Sequence, residues 1–438
     1  MPKPPPPPSQ PSKQAVSTAV GTVDDAVSVR RICVVTGSRA EYGLLYWLLH
    51  DLRSNAAVDL QLIVTGMHLS PEFGMTVRQI EADGFVVHRR VEMLLSSDSP
   101  GGIAKSIGLG VIGMSDALEG LRPDVVVVLG DRFEILAAAQ ACLVHNIPLA
   151  HIAGGDTTEG AFDESIRHAI TKMAHLHFVT NDLAARRVRQ LGEDPSRVVV
   201  VGSPGLDHLR RLPLLDRTAL AESLGAPLGA HNLLVTFHPV TLEPGESVAQ
   251  FEALRAVLDD ADGIFGAGTV LWCTRPNADT GGRALIGALD EWAAARPGVV
   301  RVHTSLGQRR YLSLMACADV VVGNSSSGLY EAPSFRVPTV DIGDRQGGRL
   351  AAASVVHCEP DHEAIRGALV RARDLDCSTV VNPYGDGETS ARIVEGLLNM
   401  PAAAVLLKKR FHLLPSSTTS STTSSTTLST SPPGGTHG

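Results

Sequence analysis

The chain has 438 residues, more than one hydrophobic core usually holds, so its length predicts two domains. A content of 44% hydrophobic and 19% charged residues is typical of a globular protein and argues against a disordered or membrane chain. The formal net charge of -8, without a basic stripe, argues against a nucleic-acid partner, because phosphate backbones require clustered Lys and Arg.

The chain begins with a low-complexity tail, "MPKPPPPPSQPSKQ", which lacks the apolar residues that would offset the entropy of ordering. Residues 1–29 are therefore predicted to be a disordered Pro-rich tail. Its lysines are balanced by Asp24 and Asp25, so organelle targeting stays open. Neither a signal peptide nor an apolar run long enough to span a bilayer is present, which predicts a cytoplasmic protein without membrane insertion.

Residues 30–205 are predicted to form a first Rossmann-like domain. Continuous apolar runs such as "RICVVTG", "DLQLIVTG", "DVVVVLGD" and "IPLAHIAGG" alternate with helical patterns. Strands without polar alternation are buried on both faces, which is typical of a parallel sheet covered by helices.

Polar side chains concentrate where these strands end. Arg39 follows the first strand, Asp131 and Arg132 follow "VVVVLG", and Asp156 and Asp163 follow "HIAGG". Carboxylates grouped near a sugar carbon can divide acid and base roles, because close like charges push their pKa values apart. On the helix that starts near Asp163, the spacing predicts that Asp163 pairs with Arg167, and Glu164 with His168.

Residues 206–385 repeat the rhythm with "NLLVTFHP", "VLWCTRP", "DVVVGNS" and "VPTVDIG", and predict a second Rossmann-like domain. A terminal helix is expected at 386–400, and residues 401–438 are expected to form a basic, then Ser/Thr-rich disordered tail. The predicted fold is therefore α/β, with two doubly wound domains that face each other across a cleft. Ligands of such sheets bind at the carboxyl ends of the strands.

The second domain also carries polar side chains at its strand ends. In "GNSSSGLYEAPSF", Ser325 and Ser326 precede a helix start, which predicts a diphosphate cradle, and Glu331 can accept hydrogen bonds from ribose hydroxyls. His238, Asn277 and Arg345 lie at neighbouring strand ends. For these three, spacing alone leaves a ligand role and a structural role open.

The sequence contains neither the dinucleotide fingerprint GxGxxG nor the P-loop GxxxxGK[ST], so NAD and ATP lose support. Six cysteines without a CxxC pair make structural zinc improbable and predict free thiols. No cofactor and no metal are expected. Whether the chain forms a homo-oligomer cannot be read from these patterns.

The motifs "TGSRAEYG", "GDRFEILAAA", "HIAGGDTTEGAFDESIRHAI", "HPVT", "PNAD", "GNSSSGLYEAPSF" and "DIGDRQGGR", which run in order between about Arg31 and Met400, resemble those of the UDP-hydrolysing UDP-N-acetylglucosamine 2-epimerases. The resemblance implies a GT-B-like fold that binds a UDP-sugar, with UDP held mainly by the second domain. It implies the nucleotide ligands Arg39, Arg132, His238, Asn277, Ser325, Ser326, Glu331 and Arg345. It also implies the acid/base set Asp131, Asp163 and Asp156, assisted by His238.

The chemistry implied by the resemblance is loss of UDP from C1 together with the C2 proton, which gives a 2-acetamidoglucal. Water then adds at C1 and C2 is reprotonated from the other face, so that UDP-N-acetylglucosamine yields N-acetylmannosamine, a sialic acid precursor. Two positions depart from the pattern of relatives that carry Glu there: Ala153, and Asp156, whose carboxylate would be retracted by roughly 1.5 Å.

Other readings remain open. "HIAGG" with "EGAFDESIRHAI" looks similar to the branch that acts on UDP-2,4-diacetamido-2,4,6-trideoxyglucose. A glycosyltransferase of the same fold would use the same UDP cradle with an added acceptor. A third alternative is an inactive UDP-sugar sensor, for which Ala153 and Asp156 would be the supporting features.

Overall fold

The computed structural model describes residues 29–97, 99–157, 162–239, 246–276 and 282–414, with the backbone alone at 282–283. Within these residues, two all-parallel sheets have the strand orders β3-β2-β1-β4-β5-β6-β7 and β10-β9-β8-β11-β12-β13. In each sheet the order reverses beside the first strand of the domain, which creates a crevice at the carboxyl ends. The two sheets confirm the predicted pair of Rossmann-like domains.

The strands of the first sheet are β1 Arg30–Thr36, β2 Val58–Thr65, β3 Arg89–Val91, β4 Val125–Leu129, β5 Leu149–Ile152, β6 Leu176–Val179 and β7 Val198–Val200. The helices that accompany them are α1 Arg39–Ser54, α2 Val77–Ala82, α3 Pro100–Leu121, α4 Phe133–Val144, α5 Asp163–Met173 and α6 Asp182–Gln190. Every residue of β4 and β5 is buried, because helices cover both faces of the sheet.

The strands of the second sheet are β8 His231–Thr236, β9 Thr269–Thr274, β10 Val300–His303, β11 Val320–Gly323, β12 Thr339–Ile342 and β13 Val355–Cys358. The remaining helices are α7 Asp207–Arg211, α8 Arg217–Leu224, α9 Ser247–Leu258, α10 Ala261–Phe265, α11 Gly282–Ala295, α12 Gly307–Ala316, α13 Ser327–Tyr330, α14 His362–Arg373, α15 Thr389–Leu398 and α16 Ala403–Leu406. All six cysteines are free thiols. None of the described helices is long and apolar enough to cross a membrane.

Helix α15 returns to the first domain. Ile393 and Leu397 of α15 are fully buried in the same core as β1 and α1. The two carboxylate oxygens of Asp207 accept hydrogen bonds from the backbone N–H groups of Thr389 (2.8 Å) and Ser390 (2.7 Å), so Asp207 caps the start of α15. The terminal helix is thus part of the first domain and not a separate unit.

The residues 401–414, called here the C-terminal segment, correct the predicted disordered tail. Leu406 is fully buried, and Arg197 of the first domain donates hydrogen bonds to the carbonyls of Leu406 (3.0 Å) and Val405 (3.1 Å). Composition alone favoured disorder because the partners of this segment lie about two hundred positions away in the sequence. The Ser/Thr-rich residues 415–438 and the tail 1–28 lie outside the described residues.

Candidate active site

The carboxyl ends of both sheets border a cleft of about 810 Å³. The first domain contributes Ser38 and Arg39 at the start of α1, together with Arg132; the second domain contributes Gln308 and Glu331. Ser38 caps α1 in a reciprocal capping box with Glu41, which fixes where the helix begins. Arg39 is therefore held at the cleft, as predicted for a residue after the first strand.

The turn after β4 places Asp131 at the strand end. Gly130 has a φ of +77°, a left-handed conformation that glycine adopts without strain. Its carbonyl accepts a hydrogen bond from the Nε2–H of the fully buried His151 at 2.8 Å. Burial lowers the pKa of His151 to about 3, so the imidazole is neutral. Its hydrogen bond to Gly130 holds the backbone that precedes Asp131.

Arg167 is the centre of the polar cluster around Asp131. Its guanidinium, only 6% exposed, pairs with the Asp131 carboxylate and with Glu164, at 2.9 Å for Glu164, and it donates to the carbonyl of Asp156 at 2.5 Å. The predicted Glu164–His168 pair is present at 3.1 Å. The predicted Asp163–Arg167 ion pair is wrong, because Arg167 reaches one turn back to Glu164 and across to the end of β4.

Asp163 lies at the first position of α5 and faces the same cluster. Burial raises the pKa of its carboxyl, the negative charge of Asp131 raises it further, and Arg132 and Arg167 offset part of the rise. The structure thus brings Asp131 and Asp163 together, as the sequence predicts. Two carboxyls that share a site in this way tend to hold different protonation states.

Asp156 is oriented differently from this pair. Its carboxylate accepts a hydrogen bond from Thr180 at 2.6 Å, and burial raises its pKa while Thr180 and three arginines oppose the rise. The small cavity beside it is lined by Tyr330, Arg349 and Tyr384 of the second half of the chain. Asp156 therefore lies at the contact between the domains, and Arg167 links its backbone carbonyl to the Asp131 carboxylate.

Arg132 is held at the cleft by Glu134. The fully buried carboxylate of Glu134 accepts from Arg132 Nε at 3.1 Å and from its terminal nitrogen at 2.8 Å. Glu134 in turn packs against Gly66, where an added Cβ would lie 2.7 Å from Glu134 Cγ and where φ is +58°. Glycine is thus required at 66 for this carboxylate to reach Arg132.

We expect Glu134→Gln to weaken binding of UDP by about tenfold, because a hydrogen bond between charged groups is worth roughly 1.5–3 kcal/mol and Arg132 would lose its fixed orientation. Isothermal titration with UDP measures the change. Glu81→Gln is the matched control, because Glu81 also pairs with an arginine but is 43% exposed. Unchanged UDP affinity in Glu134→Gln would contradict the role of Glu134 in orienting Arg132.

In the second domain, the buried Asn324 organises the strand ends. It accepts from the backbone N–H of His238 at 2.7 Å and donates to the His238 carbonyl at 2.9 Å. The Asn324 carbonyl accepts from Arg345 at 3.2 Å and from Gln346 at 2.8 Å. His238 and Arg345, predicted separately from two strand ends, are therefore neighbours of one asparagine.

The serine run also differs from the expectation. The hydroxyls of Ser325 and Ser327 lie 2.8 Å apart, and that of Ser327 lies 2.7 Å from the Tyr311 hydroxyl. Ser326 occupies the N-cap position of α13 without a capping hydrogen bond from its side chain, and α13 is a single turn of four residues. The diphosphate cradle predicted from the sequence would therefore depend on hydroxyls and a few amides, because a helix of one turn has little dipole.

Glu331 follows this turn and lines the cleft. Burial raises the pKa of its carboxyl from 4.5 to about 7. Its Oε2 atom is buried and has no hydrogen-bond partner among the described residues. A buried carboxylate oxygen without a hydrogen-bond partner destabilises the folded protein unless a ligand donates a hydrogen bond to it. The arrangement fits a carboxylate that accepts from hydroxyl groups of a ligand.

Asn277, the remaining predicted site residue, lies outside the described residues. Arg167, Glu134, Tyr311 and His151 were not predicted as site residues. Only the charge pattern of α5 pointed to Arg167, and it gave the wrong partner. In the described part of the chain, no group of three or more His, Cys, Asp or Glu side chains is placed to hold a metal ion.

The amino-acid sequence is similar to that of known 2-epimerases. A sequence model of a family described as UDP-N-acetylglucosamine 2-epimerase matches residues 50–398. The GDP/UDP-N,N'-diacetylbacillosamine 2-epimerase (hydrolyzing) of Campylobacter jejuni is 39% identical over 336 residues, 76% of this chain and 85% of that protein. The UDP-N,N'-diacetylbacillosamine 2-epimerase (hydrolyzing) of Legionella pneumophila is 35% identical over 382 residues, 87% of this chain and 99% of that protein.

Solved structures share the fold. The UDP-GlcNAc 2-epimerase of Neisseria meningitidis bound to UDP-GlcNAc superposes with a TM-score of 0.69 at 18% identity, covering 84% of this chain and all of that one. The Methanocaldococcus jannaschii enzyme in complex with UDP-GlcNAc and UDP gives a TM-score of 0.65 at 19% identity, covering 84% and 99%. At these identities the comparison shows the GT-B-like arrangement of two domains and no more.

Proposed function

Because this chain belongs to the UDP-N-acetylglucosamine 2-epimerase family, we propose that it is a hydrolysing 2-epimerase that converts a UDP-2-acetamido sugar to UDP and the free C2-inverted sugar. The observation that carries the proposal is that Asp131, paired with Arg167, lies near enough to Asp163 to raise the pKa of its carboxyl, beside Arg132, which lines the cleft. Abstraction of a weakly acidic C2 proton requires a held carboxylate and a second group that can return a proton.

In the proposed reaction, a carboxylate of this pair takes the C2 proton as the C1–O bond breaks and the bonding electrons leave with UDP. Arg132 and the serine hydroxyls accommodate the charge that develops on the diphosphate, and Glu331 accepts from the ribose hydroxyls. Water then adds its oxygen to C1 of the 2-acetamidoglucal, and C2 receives a proton on the opposite face. The product is the free epimer, and no resident cofactor takes part in these steps.

The sugar is the finer part of the proposal. The two diacetylbacillosamine 2-epimerases, whose sugar is a 2,4-diacetamido-2,4,6-trideoxyhexose, cover most of this chain at 35–39% identity. In a comparison of sequences, separate from the superposition above, the curated UDP-N-acetylglucosamine 2-epimerase of Neisseria meningitidis serogroup B is 30% identical over 390 residues. We therefore propose the UDP-diacetamido sugar as the first substrate to test and UDP-N-acetylglucosamine as the second.

The test is incubation of the full chain with each UDP-sugar in heavy water, without an acceptor, followed by proton NMR. The proposal expects free UDP and a C2-inverted sugar that carries deuterium at C2. An epimer that keeps its UDP, or sugar release only when an acceptor is added, would replace the proposal with a non-hydrolysing epimerase or a glycosyltransferase. Binding of UDP without turnover of either substrate would leave a sensor.

UDP affinity should depend on pH through Glu331. Its carboxyl has a pKa of about 7 in the folded chain, against an ordinary value of 4.5, so below pH 7 it is largely protonated. If the carboxylate accepts from ribose hydroxyls, binding must release that proton, and affinity rises with pH until about pH 7. Titrations of UDP between pH 5.5 and 8 measure the slope.

Glu331→Gln is the control for this measurement, because the phosphate groups of UDP also titrate in that range and continue to do so in the variant. We expect the variant to bind UDP about tenfold more weakly at pH 8 and to differ less at pH 5.5. The raised pKa of Glu331 also makes the folded wild-type chain less stable as the pH rises from 4.5 to 7, since the folded state binds more protons in that range than the unfolded state. Identical pH slopes in the two proteins would refute a ribose contact by Glu331.

A further inference from the structure

The C-terminal segment is attached to the first domain by a buried carboxylate. Glu193, 1% exposed, accepts hydrogen bonds from Lys172 at 2.5 Å, from Lys409 at 2.7 Å and from His177 at 2.9 Å. Burial alone would raise the pKa of Glu193, but the hydrogen bonds from these three side chains lower it to about 2. Glu193 is therefore ionised, and Lys409 is one of the two ammonium groups that balance it.

Lys409 also binds the end of helix α5. Its ammonium donates to the carbonyls of Lys172 at 2.7 Å and of Ala174 at 2.6 Å. The last carbonyls of a helix have no partner within the helix, and a cation at that end interacts favourably with the helix dipole. Lys409, which belongs to the C-terminal segment, thus satisfies two backbone carbonyls at the carboxyl end of α5.

The rest of the C-terminal segment holds Lys409 in place. The Phe411 ring covers Gly192, where an added Cβ would lie 2.4 Å from the ring. The Lys172 ammonium lies 5.0 Å from the centre of the same ring, and the His412 N–H donates to the Gly192 carbonyl at 2.8 Å. These contacts fix the segment after Lys409, and the hydrogen bonds from Arg197 to the carbonyls of Leu406 and Val405 fix it before Lys409.

The amino-terminal half of α5 carries Asp163 at its first position and Arg167 about one turn later. The helix has 11 residues, about 16 Å at 1.5 Å per residue, and behaves as one short rod. Its position along its own axis decides how far Asp163 stands from Asp131, and a displacement of about 1 Å at a reacting group can cost about 100-fold in rate.

We propose that Lys409 is a positioning residue for the active site, which acts through α5 on Asp163 and Arg167. This inference rests on the proposed function, because it assigns catalysis to the amino end of α5. It predicts that the C-terminal segment sets kcat although it lies at the far end of the helix from the reacting groups. The nucleotide ligands lie outside α5, so KM should be little affected.

The test compares Lys409→Gln with Lys408→Gln in the full chain. Lys408 is the adjacent lysine and is exposed, so it is a matched control. We expect Lys409→Gln to lower kcat about tenfold with KM within about twofold, and to speed hydrogen exchange of the α5 amides. Lys409→Arg should restore most of kcat, since a guanidinium can reach the same carbonyls, and Lys408→Gln should match the wild type. Equal kcat in Lys409→Gln and Lys408→Gln, or unchanged α5 exchange, would overturn the inference.

A double variant separates positioning from charge balance. Glu193→Gln with Lys409→Met removes both charges, so no buried carboxylate is left short of a partner. A wild-type kcat in this variant would overturn the inference, whereas a kcat as low as that of Lys409→Gln supports it. Absence of any turnover by the wild-type chain would refute the proposed function instead, and the α5 exchange rates would then decide whether Lys409 fixes the helix.

Discussion

Replacement of Asp163 by Asn is expected to lower kcat by about 10²–10⁴-fold, the usual contribution of a general acid or base, while UDP affinity stays within about twofold. The amide keeps the size of the side chain but cannot exchange a proton. Steady-state kinetics in the NMR or UDP-release assay measure the loss. Asp131→Asn should be comparably impaired, because it removes the second carboxylate of the pair.

The pH profile adds a sharper readout. Burial raises the pKa of Asp163 first, and the charge of Asp131 raises it further. In Asp131→Asn that second contribution disappears, so the pKa of Asp163 falls and the acidic limb of kcat/KM shifts to lower pH in the residual activity. A profile that keeps the wild-type limb would show that Asp163 is not the titrating group.

Asp182→Asn is the matched control for these variants. Asp182 is an exposed acid in the first turn of α6, the helix that follows α5 in the chain, so it shares the helix position of Asp163 without facing the cleft. Its kinetics should equal those of the wild type. If Asp163→Asn kept more than roughly a tenth of kcat, the proposed acid/base assignment would have to be abandoned.

Arg167→Met is expected to damage both activity and stability. The guanidinium, 6% exposed, joins Asp131, Glu164 and the Asp156 carbonyl, so its loss leaves two carboxylates close together without their cation. Removal of one partner from a fully buried ion pair costs about 3–5 kcal/mol, but the Asp131 and Glu164 carboxylates are 23% and 25% exposed, so we expect a smaller loss of about 1–3 kcal/mol. The mispositioned Asp131 should lower kcat by about 100-fold or more. Denaturant unfolding and kcat measure the two effects.

Arg167→Lys should rescue little, because one ammonium cannot span three acceptors that the planar fork of arginine reaches together. Arg186→Met, at an exposed position of α6, controls for loss of a surface arginine and should unfold like the wild type. Near-normal stability in Arg167→Met would mean that the cluster is solvated and that Arg167 does not organise it.

The sheets were predictable because most of their strands contain a continuous apolar run, and runs such as "VVVVL" of β4 are typical of strands buried on both faces. The site was predictable in outline because strand ends of a parallel sheet converge. The ion pairs and hydrogen bonds that connect the site residues were not predictable. Arg167 was expected to pair with Asp163, yet it pairs with Glu164 of the same helix and with Asp131, which is 36 positions away. Local spacing carries no information about such a partner.

The C-terminal segment shows the same limit. "AAAVLLKKRFHLL" reads as a basic, frayed end, and nothing local to it indicates a buried carboxylate at Glu193. Likewise, Glu134 appears in the sequence as one acid in "GDRFE", and nothing local to it indicates that it packs against Gly66, 68 positions away. Long-range electrostatic partners are thus the part of the site that requires coordinates.

The return of α15 to the first domain has a consequence for synthesis of the chain. The Arg30 side chain, at the start of β1, donates to the carbonyl of Leu397 in α15 at 2.5 Å, so β1 and α15 are neighbours. Domains usually fold as units in the order in which they leave the ribosome. Here the second sheet, complete at Cys358, emerges in full before the first domain has received α15 and the C-terminal segment. The domain that is translated first is therefore the one that is finished last.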